Sequence, residues 1–390
     1  MFMPLNSSIA KLILFSFAGF ILFFSALSQA KENSEGWTSV RAQGMGGAYS
    51  SVVDDADSLF INPAGLARVS GVHWTVFDPR VGVNGIETVS DVQKIVGASN
   101  SNMANTIDSL YGKRIWGGGG AKTAIAVPYF AVAGFANTEA GILAQNPADT
   151  SLNLNYFFDY GVAVGTGFDL IPGVFKLGFS AERINRTGTT LPVGPATLAT
   201  LSSSALDAEL KRRGTGYGLN AGTIMTVPGP VSPSLSVVYK NIGYTAFTAE
   251  EGAGAPPRIE PELVVGASVE IHAVIMKITP SIDFSYADRP DIQTGKKIHL
   301  GIEFALPLID LRAGLNQGYY TAGVGLDLGI LKLDAATYGV ELGEYPGQME
   351  DRRYMAQVTL EFGFDASSLN SFGFGSGKPG EDAPHLKQRR

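Results

Sequence analysis

Three clusters in this sequence have residue types that could do chemistry. Residues 117–123, GGGGAKT, come close to a phosphate-binding loop. Such a loop needs a Gly directly before its Lys and a helix after it, so that backbone N–H groups cradle the phosphates. Here Ala121 precedes Lys122 and a strand pattern follows, so the stretch reads as the flexible rim of a strand. Asp54, Asp55 and Asp57 are spaced like the start of a calcium loop but lack its Gly and its distal Glu. The four histidines (His73, His272, His299, His385) are scattered, without the paired spacing a zinc site uses. His299 lies two alternations from Glu303 on one strand face, and a lumenal His beside a Ser could make an esterase. No G-x-S-x-G elbow is present, and a His satisfied by its surroundings is the better reading. The chain has no Cys, hence no disulfide framework and no thiolate site. Neither an enzyme nor a cofactor is expected.

The elements that would position these residues are strands. In 354–364, YMAQVTLEFGF, Tyr354, Ala356, Val358, Leu360, Phe362 and Phe364 share one face, and Met355, Gln357, Thr359, Glu361 and Gly363 the other. Residues 297–305 and 309–316 repeat the pattern, with His299, Glu303 and Arg312 on the polar face. A period of two with one apolar and one polar face means that each strand separates two environments. The same rule gives about fourteen strands, near 72–84, 120–128, 129–138, 155–169, 174–186, 214–226, 232–242, 261–271, 274–286, 297–305, 308–317, 319–328, 330–341 and 353–364. The second and third could also be one kinked strand. Connections after even-numbered strands are short and most others are long, which is the loop asymmetry of an outer-membrane barrel with both chain ends in the periplasm. The expected fold is all-β: a transmembrane antiparallel β-barrel of about 14 strands over 72–364. Two of the long loops, 87–113 and 204–213, have helical spacing.

Composition agrees. The chain has 48 Gly, 22 Phe and 14 Tyr, 17% charged residues and a mean hydropathy of only +0.12. Only alternate residues of a barrel face lipid, so its average hydropathy stays modest. A net charge of −7 argues against a nucleic-acid partner. Residues 1–30 read as a signal peptide: Lys11 in the n-region, an apolar run over 12–27, and Ser28-Gln29-Ala30 before a mature start at Lys31. With no Cys after the apolar run, a lipidated start is not expected. Residues 365–390 are rich in Gly, Ser and charge and read as a disordered periplasmic tail. This leaves the last strand's Phe364 as an internal assembly signal, with Phe372 or Phe374 as competitors.

Between the signal and the strands lies QGMGGAYSSVVDDADSLFINPAGLAR, residues 43–68, a Gly-, Ala- and Asp-rich stretch suited to a compact plug in a barrel mouth. Met45-Gly46-Gly47-Ala48, Asp54-Asp55-Ala56 and Asn62-Pro63-Ala64-Gly65-Leu66 resemble the N-terminal hatch of the FadL-type outer-membrane transporters. PorV-like subunits of secretion machinery share this order and spacing, and Lys240-Asn241-Ile242-Gly243 is closer to that side of the group. The resemblance implies a hatch over 31–71 inside a fourteen-stranded barrel. It also implies uptake of long-chain fatty acids or other hydrophobic small molecules, delivered sideways into outer-membrane lipid. The alternative it leaves is a PorV-like role in protein secretion or surface attachment, with a protein partner, or a structural outer-membrane protein. By their chemistry, Gly46 and Gly47 permit close backbone approach, and Asp54, Asp55 and Asp57 can cap amides or pair with lumen cations such as Arg312 or Lys332. Asn62 and Pro63 set a turn with Ala64 and Gly65. Leu59, Phe60 and Ile61 are the candidates for an apolar ligand pocket.

Overall fold

The computed structural model describes residues 36–85, 87–88, 114–145, 151–193 and 203–364. The expected signal peptide, the tail and most of the 87–113 loop lie outside these residues.

One antiparallel sheet closes on itself. Its strands are β1 (Val72–Phe77 with Arg80–Val83), β2 (Arg114–Val127), β3 (Phe130–Gln145), β4 (Ser151–Ile171), β5 (Phe175–Val193), β6 (Arg213–Thr226) and β7 (Val231–Lys240). They continue as β8 (Glu262–His272), β9 (Lys277–Phe284), β10 (Ile298–Ala305), β11 (Ile309–Asn316), β12 (Tyr319–Asp327), β13 (Leu331–Glu341) and β14 (Glu350–Phe364). Each strand pairs with its neighbours in sequence, and β1 pairs with both β2 and β14, which completes a 14-stranded barrel. Closure leaves no sheet edge, the condition under which strands can cross a membrane. A short strand, Phe247–Ala249, adds to the outer end of β6, and a helix, α1 (Ser203–Leu210), lies in the loop before it.

Alternation sets the two faces. On β14, Tyr354, Val358, Leu360 and Phe364 are exposed on the outside, whereas Met355, Gln357 and Thr359 are buried inside. On β10 and β11, Ile298, Leu300, Ile309, Leu311 and Leu315 face out, and His299, Glu303, Arg312 and Asn316 face in. No helix among the described residues is long and apolar enough to cross a membrane.

The second and third strands of the sequence reading are two strands rather than one kinked strand: β2 and β3 are joined by a tight turn with Tyr129 at φ 69°. Other elements differ from that reading. The Gly117–Gly120 run is not a rim: it sits within β2, paired to β1 and β3. Glycine is needed there because the Trp116 ring lies over Gly118, 2.9 Å from where a Cβ would stand. β3, β4 and β5 run further outward than expected, taking up much of what read as loop. β1 is interrupted at Asp78-Pro79. From Thr75 to Arg80 it spends five steps against four on β2 (Ala124 to Gly120) and four on β14 (Glu361 to Gln357), a bulge against both neighbours at once.

Candidate functional site

Residues 36–71 lie within the ring, as a short helix, α2 (Val40–Gly44), and two 3-10 turns, Ala56–Leu59 and Pro63–Arg68. Each is started by a polar cap. Ser39 Oγ accepts from Ala42 N at 3.2 Å, Asp55 Oδ1 from Asp57 N at 2.8 Å, and Asn62 Oδ1 from Ala64 N at 3.1 Å. Asn62 also donates from Nδ2 to the Ser50 carbonyl at 2.8 Å, tying the NPAGL turn to the middle of the segment. That turn seats on wall glycines. A Cβ on Gly167 would collide with Ala67 N, one on Gly178 with Pro63, and one on Gly222 with the Asn62 amide. Gly65 is close-packed against Ser58 and Val53, and Ala64 is fully buried. Gly46 and Gly47 follow α2 at φ +66° and +82°, conformations that L side chains rarely adopt. At Gly46 a Cβ would stand 2.5 Å from the Leu300 carbonyl oxygen of the wall.

On one side the segment meets the wall through polar groups. Arg41 donates to both oxygens of Glu303, at 2.9 and 2.7 Å, and Arg312 donates to the same carboxylate at 2.7 Å. Arg312 continues to Asp334 at 2.5 Å and Asp310 at 3.2 Å. Asp283 of β9 accepts from Tyr49 N, Ser50 N and Ser50 Oγ at 2.8 to 3.0 Å. His299 Nδ1 donates to the Gly46 carbonyl at 3.0 Å. Arg68 reaches Thr226 and Ser234 at the lower end.

On the other side the contact is largely apolar. Leu59, Phe60, Leu66 and Trp37 pack with Phe135 and with Ala124, Ala126, Ala131, Ala133 and Ala163, inward side chains of β2, β3 and β4. Phe60 meets Phe135 edge-on at 5.2 Å and Trp37 at 5.6 Å. One ionic knot ends this seam. Lys122 Nζ lies 2.5 Å from Asp57 and 3.1 Å from Asp78, Trp37 Nε1 donates to Asp57 at 3.0 Å, and Arg80 stacks over the Trp37 ring at 4.1 Å. Asp78, at the β1 interruption, also accepts from Gln357 and Thr359 of β14. Two of the segment's three acids, Asp55 and Asp57, diverge. Burial opposes ionisation of Asp57, but Lys122 and the Trp37 N–H outweigh it and hold the carboxyl below its usual range. Burial, with repulsion from Asp57 and Asp54, pushes Asp55 up to about 7.

Of the cavities that border the segment, the smallest, about 40 Å³, lies between Thr38, Trp116 and Glu139, and two are larger. One of about 80 Å³ lies below it, lined by charged groups including Asp55, Asp78, Arg312, Lys332 and Glu361. The other, about 100 Å³, lies above it, between Tyr49, Ile61, Lys240, Glu262 and Asp283. Drug-sized ligands occupy roughly 300–1,000 Å³, so neither holds a long acyl chain in this conformation. Among the described residues no three His, Cys, Asp or Glu gather as a metal site.

The solved structures decide what this arrangement is similar to. The CymD monoaromatic hydrocarbon channel superposes with a TM-score of 0.50 at 12% identity, over 86% of this chain and 99% of that one. The fold is that of the FadL-type outer-membrane channels. The toluene transporter TbuX of Ralstonia pickettii (TM-score 0.47, 11% identity, 85% of this chain and 99% of that one) is a further FadL-type structure. A FadL homologue of Pseudomonas aeruginosa gives 0.43 at 12%, over 85% and 98%. No family model matches the sequence, and no curated protein does. A closed barrel with an apolar outer face is the form in which strands cross an outer membrane.

Within this FadL-type fold the motif residues come together. Gly46, Gly47, Asn62, Pro63, Ala64 and Gly65 shape turns, Asp54 pairs with Arg41 at 3.4 Å, and Asp55 caps. The lumen cations that hold the motif acids are Arg41 and Lys122 rather than Arg312 and Lys332, which are engaged with Glu303 and Glu361. Leu59 and Phe60 are spent in the apolar seam, and Ile61 alone of the three lines a cavity. Trp37, Arg41, Asp78 and Lys122 were missed by sequence reasoning. For Lys122 a signal existed: it continues the inward alternation of Ala124 and Ala126 and is the charged member of that face.

Proposed function

We propose that the protein takes up hydrophobic small molecules, long-chain fatty acids among them, across the outer membrane, with residues 31–71 acting as a hatch. The observation carrying this reading is the apolar inward strip on β2–β4. Barrel lumens are ordinarily polar, yet here five alanines and Phe135 face inward against Trp37, Ala56, Leu59, Phe60, Leu66 and Val69 of the inner segment. Displacing that part of the segment would bare an apolar lane on the inner wall. A hydrophobic solute in it stays out of water, worth roughly 25 cal/mol per Å² of surface. Likeness to channels for small hydrocarbons supports the same solute class. The Asn62-Pro63 turn, seated on wall glycines, is the hinge from which such a displacement starts.

A filled lumen favours one second reading, a PorV-like component in protein secretion or surface attachment, whose partner would bind outside a permanently closed barrel. Binding of a radiolabelled long-chain fatty acid to the detergent-purified protein separates the two. Saturable binding that changes in an Asn62→Ala, Pro63→Ala variant supports uptake. Absence of binding to a demonstrably folded barrel overturns it in favour of the protein partner.

A further inference from the structure

We infer that the periplasmic rim of the barrel is seated in the inner-leaflet lipid of the outer membrane, so that the lower mouth opens at lipid level rather than into water. The inference is independent of what the barrel carries.

The rim consists of six connections, 128–129, 172–174, 227–230, 273–276, 306–308 and 328–330. Together they read PY, PGV, VPGP, AVIM, LPL and LGI. None carries a charge, and Tyr129 supplies the single side-chain hydroxyl. Their side chains point away from the protein: Val274 is 92% and Ile275 66% exposed, and Val227, Leu308, Leu328 and Ile330 are all more than a third exposed. Water would be a costly surrounding for such a ring, and contiguous apolar surface of this kind marks an interaction site. At the other end of the same strands the connections carry Asp288, Arg289, Asp291, Glu250, Glu251, Arg258 and Glu260.

Backbone groups point to the same environment. In hydrocarbon an unpaired N–H is expensive, and proline removes that donor altogether; four of the six turns contain it. The amides of Tyr129, Val174, Val227, Ala273, Leu306 and Leu328 all find carbonyl partners within the protein, at 2.8 to 3.1 Å. Gly173 and Gly329 donate to the carboxylates of Asp169 and Asp327.

The occupant follows from continuity and height. The apolar turns run directly into the lipid-facing surface of the barrel, through Phe168, Leu170, Leu235 and Val324. Exposed tyrosines on the outer halves of the strands, Tyr160, Tyr217 and Tyr320, mark the upper interface. From Tyr320 to Leu328 is eight residues, and from Tyr160 to Ile171 eleven. At about 3.3 Å per residue and about 40° tilt these spans are roughly 20 to 28 Å high, against an apolar band of ~25 Å in such barrels. The turn tips therefore fall at the lower hydrocarbon boundary.

The cysteine-free chain permits a direct test. Val274→Cys and Leu328→Cys at the rim and Glu251→Cys on an external loop are each labelled with an environment-sensitive fluorophore. The proteins are placed in phosphatidylethanolamine–phosphatidylglycerol nanodiscs, after heat-shifted gel mobility has verified folding. The rim labels should emit blue-shifted light, be quenched by nitroxide-bearing lipid, and show an iodide quenching constant several-fold below that of the Glu251→Cys control. Iodide quenching equal to the control at both rim sites overturns the inference. So does protection from iodide without quenching by the lipid nitroxide, which would mean that a second protein copy covers the rim.

Discussion

The inner segment faces two different walls. Toward β9–β13 it is fixed by directional bonds: Arg41 and Arg312 on Glu303, the Tyr49 and Ser50 amides on Asp283, and Gly46 on His299. Toward β2–β4 it rests mainly on alanine methyls, with aromatic rings between. Directional buried bonds tolerate no sliding, because a shift of about 1 Å leaves charges and amides unpaired. Dispersion contacts with small side chains are individually weak and non-directional. One side is built as an anchor and the other as a face that can part, and the Lys122–Asp57 pair is the clasp on that second face.

The sharpest break is Glu303→Leu. It leaves the Arg41 guanidinium with Asp54, at 3.4 Å, as its remaining carboxylate and strips Arg312 of one of its partners. The expected loss is about 3–5 kcal/mol, read as a lower urea midpoint for loss of heat-shifted gel mobility. Phe60→Ala on the parting face should cost less, about 3 kcal/mol, and should increase protease access to residues 55–66 while the barrel itself stays folded. If both variants loosen the segment equally, the two walls do not differ in kind. Asn62→Ala removes a cap and an internal tie and should cost about 1–2 kcal/mol in the same unfolding series.

The smallest effect is in the pH dependence. Asp55 has a folded-state pKa raised to about 7 by burial and by Asp57 and Asp54, against about 3.9 unfolded. Between those values the native state holds a proton that the unfolded chain has lost, so the Asp55 contribution to stability falls as pH rises and levels off above about 7. Because Asp55 borders the polar cavity and is only partly covered, water damps the slope. Asp55→Asn keeps the cap and should flatten that part of a stability–pH curve. An unchanged curve would show that the group ionises freely.

Alternation made the barrel legible: residues 297–305 and 354–364 sort their side chains into lipid and lumen before any pairing is known. The hatch-like stretch was legible as turns, because Asn62-Pro63 and Asp55 act on amides two residues away. What held it in place was not. Lys122 lies 65 residues from Asp57, and Glu303 lies 262 from Arg41. Such partners are set by barrel register, which no local pattern carries. The glycine run over 117–120 misled for a related reason. Without a neighbour in view it reads as a loop, whereas the Trp116 ring and the β1 backbone are what make small residues necessary there.

The closing strand ties the interior to the seam of the barrel. β1 begins at Val72, a few residues after the Pro63–Arg68 turn, and pairs with both β2 and β14, so the inner segment is joined covalently to the place where the two ends of the sheet meet. Asp78 makes a second, noncovalent tie: it meets Lys122, the partner of Asp57, on one side and accepts from Gln357 and Thr359 of β14 on the other. One carboxylate therefore serves both the seam and the inner segment, and a change that frees Lys122 from Asp57 is felt where the first and last strands join.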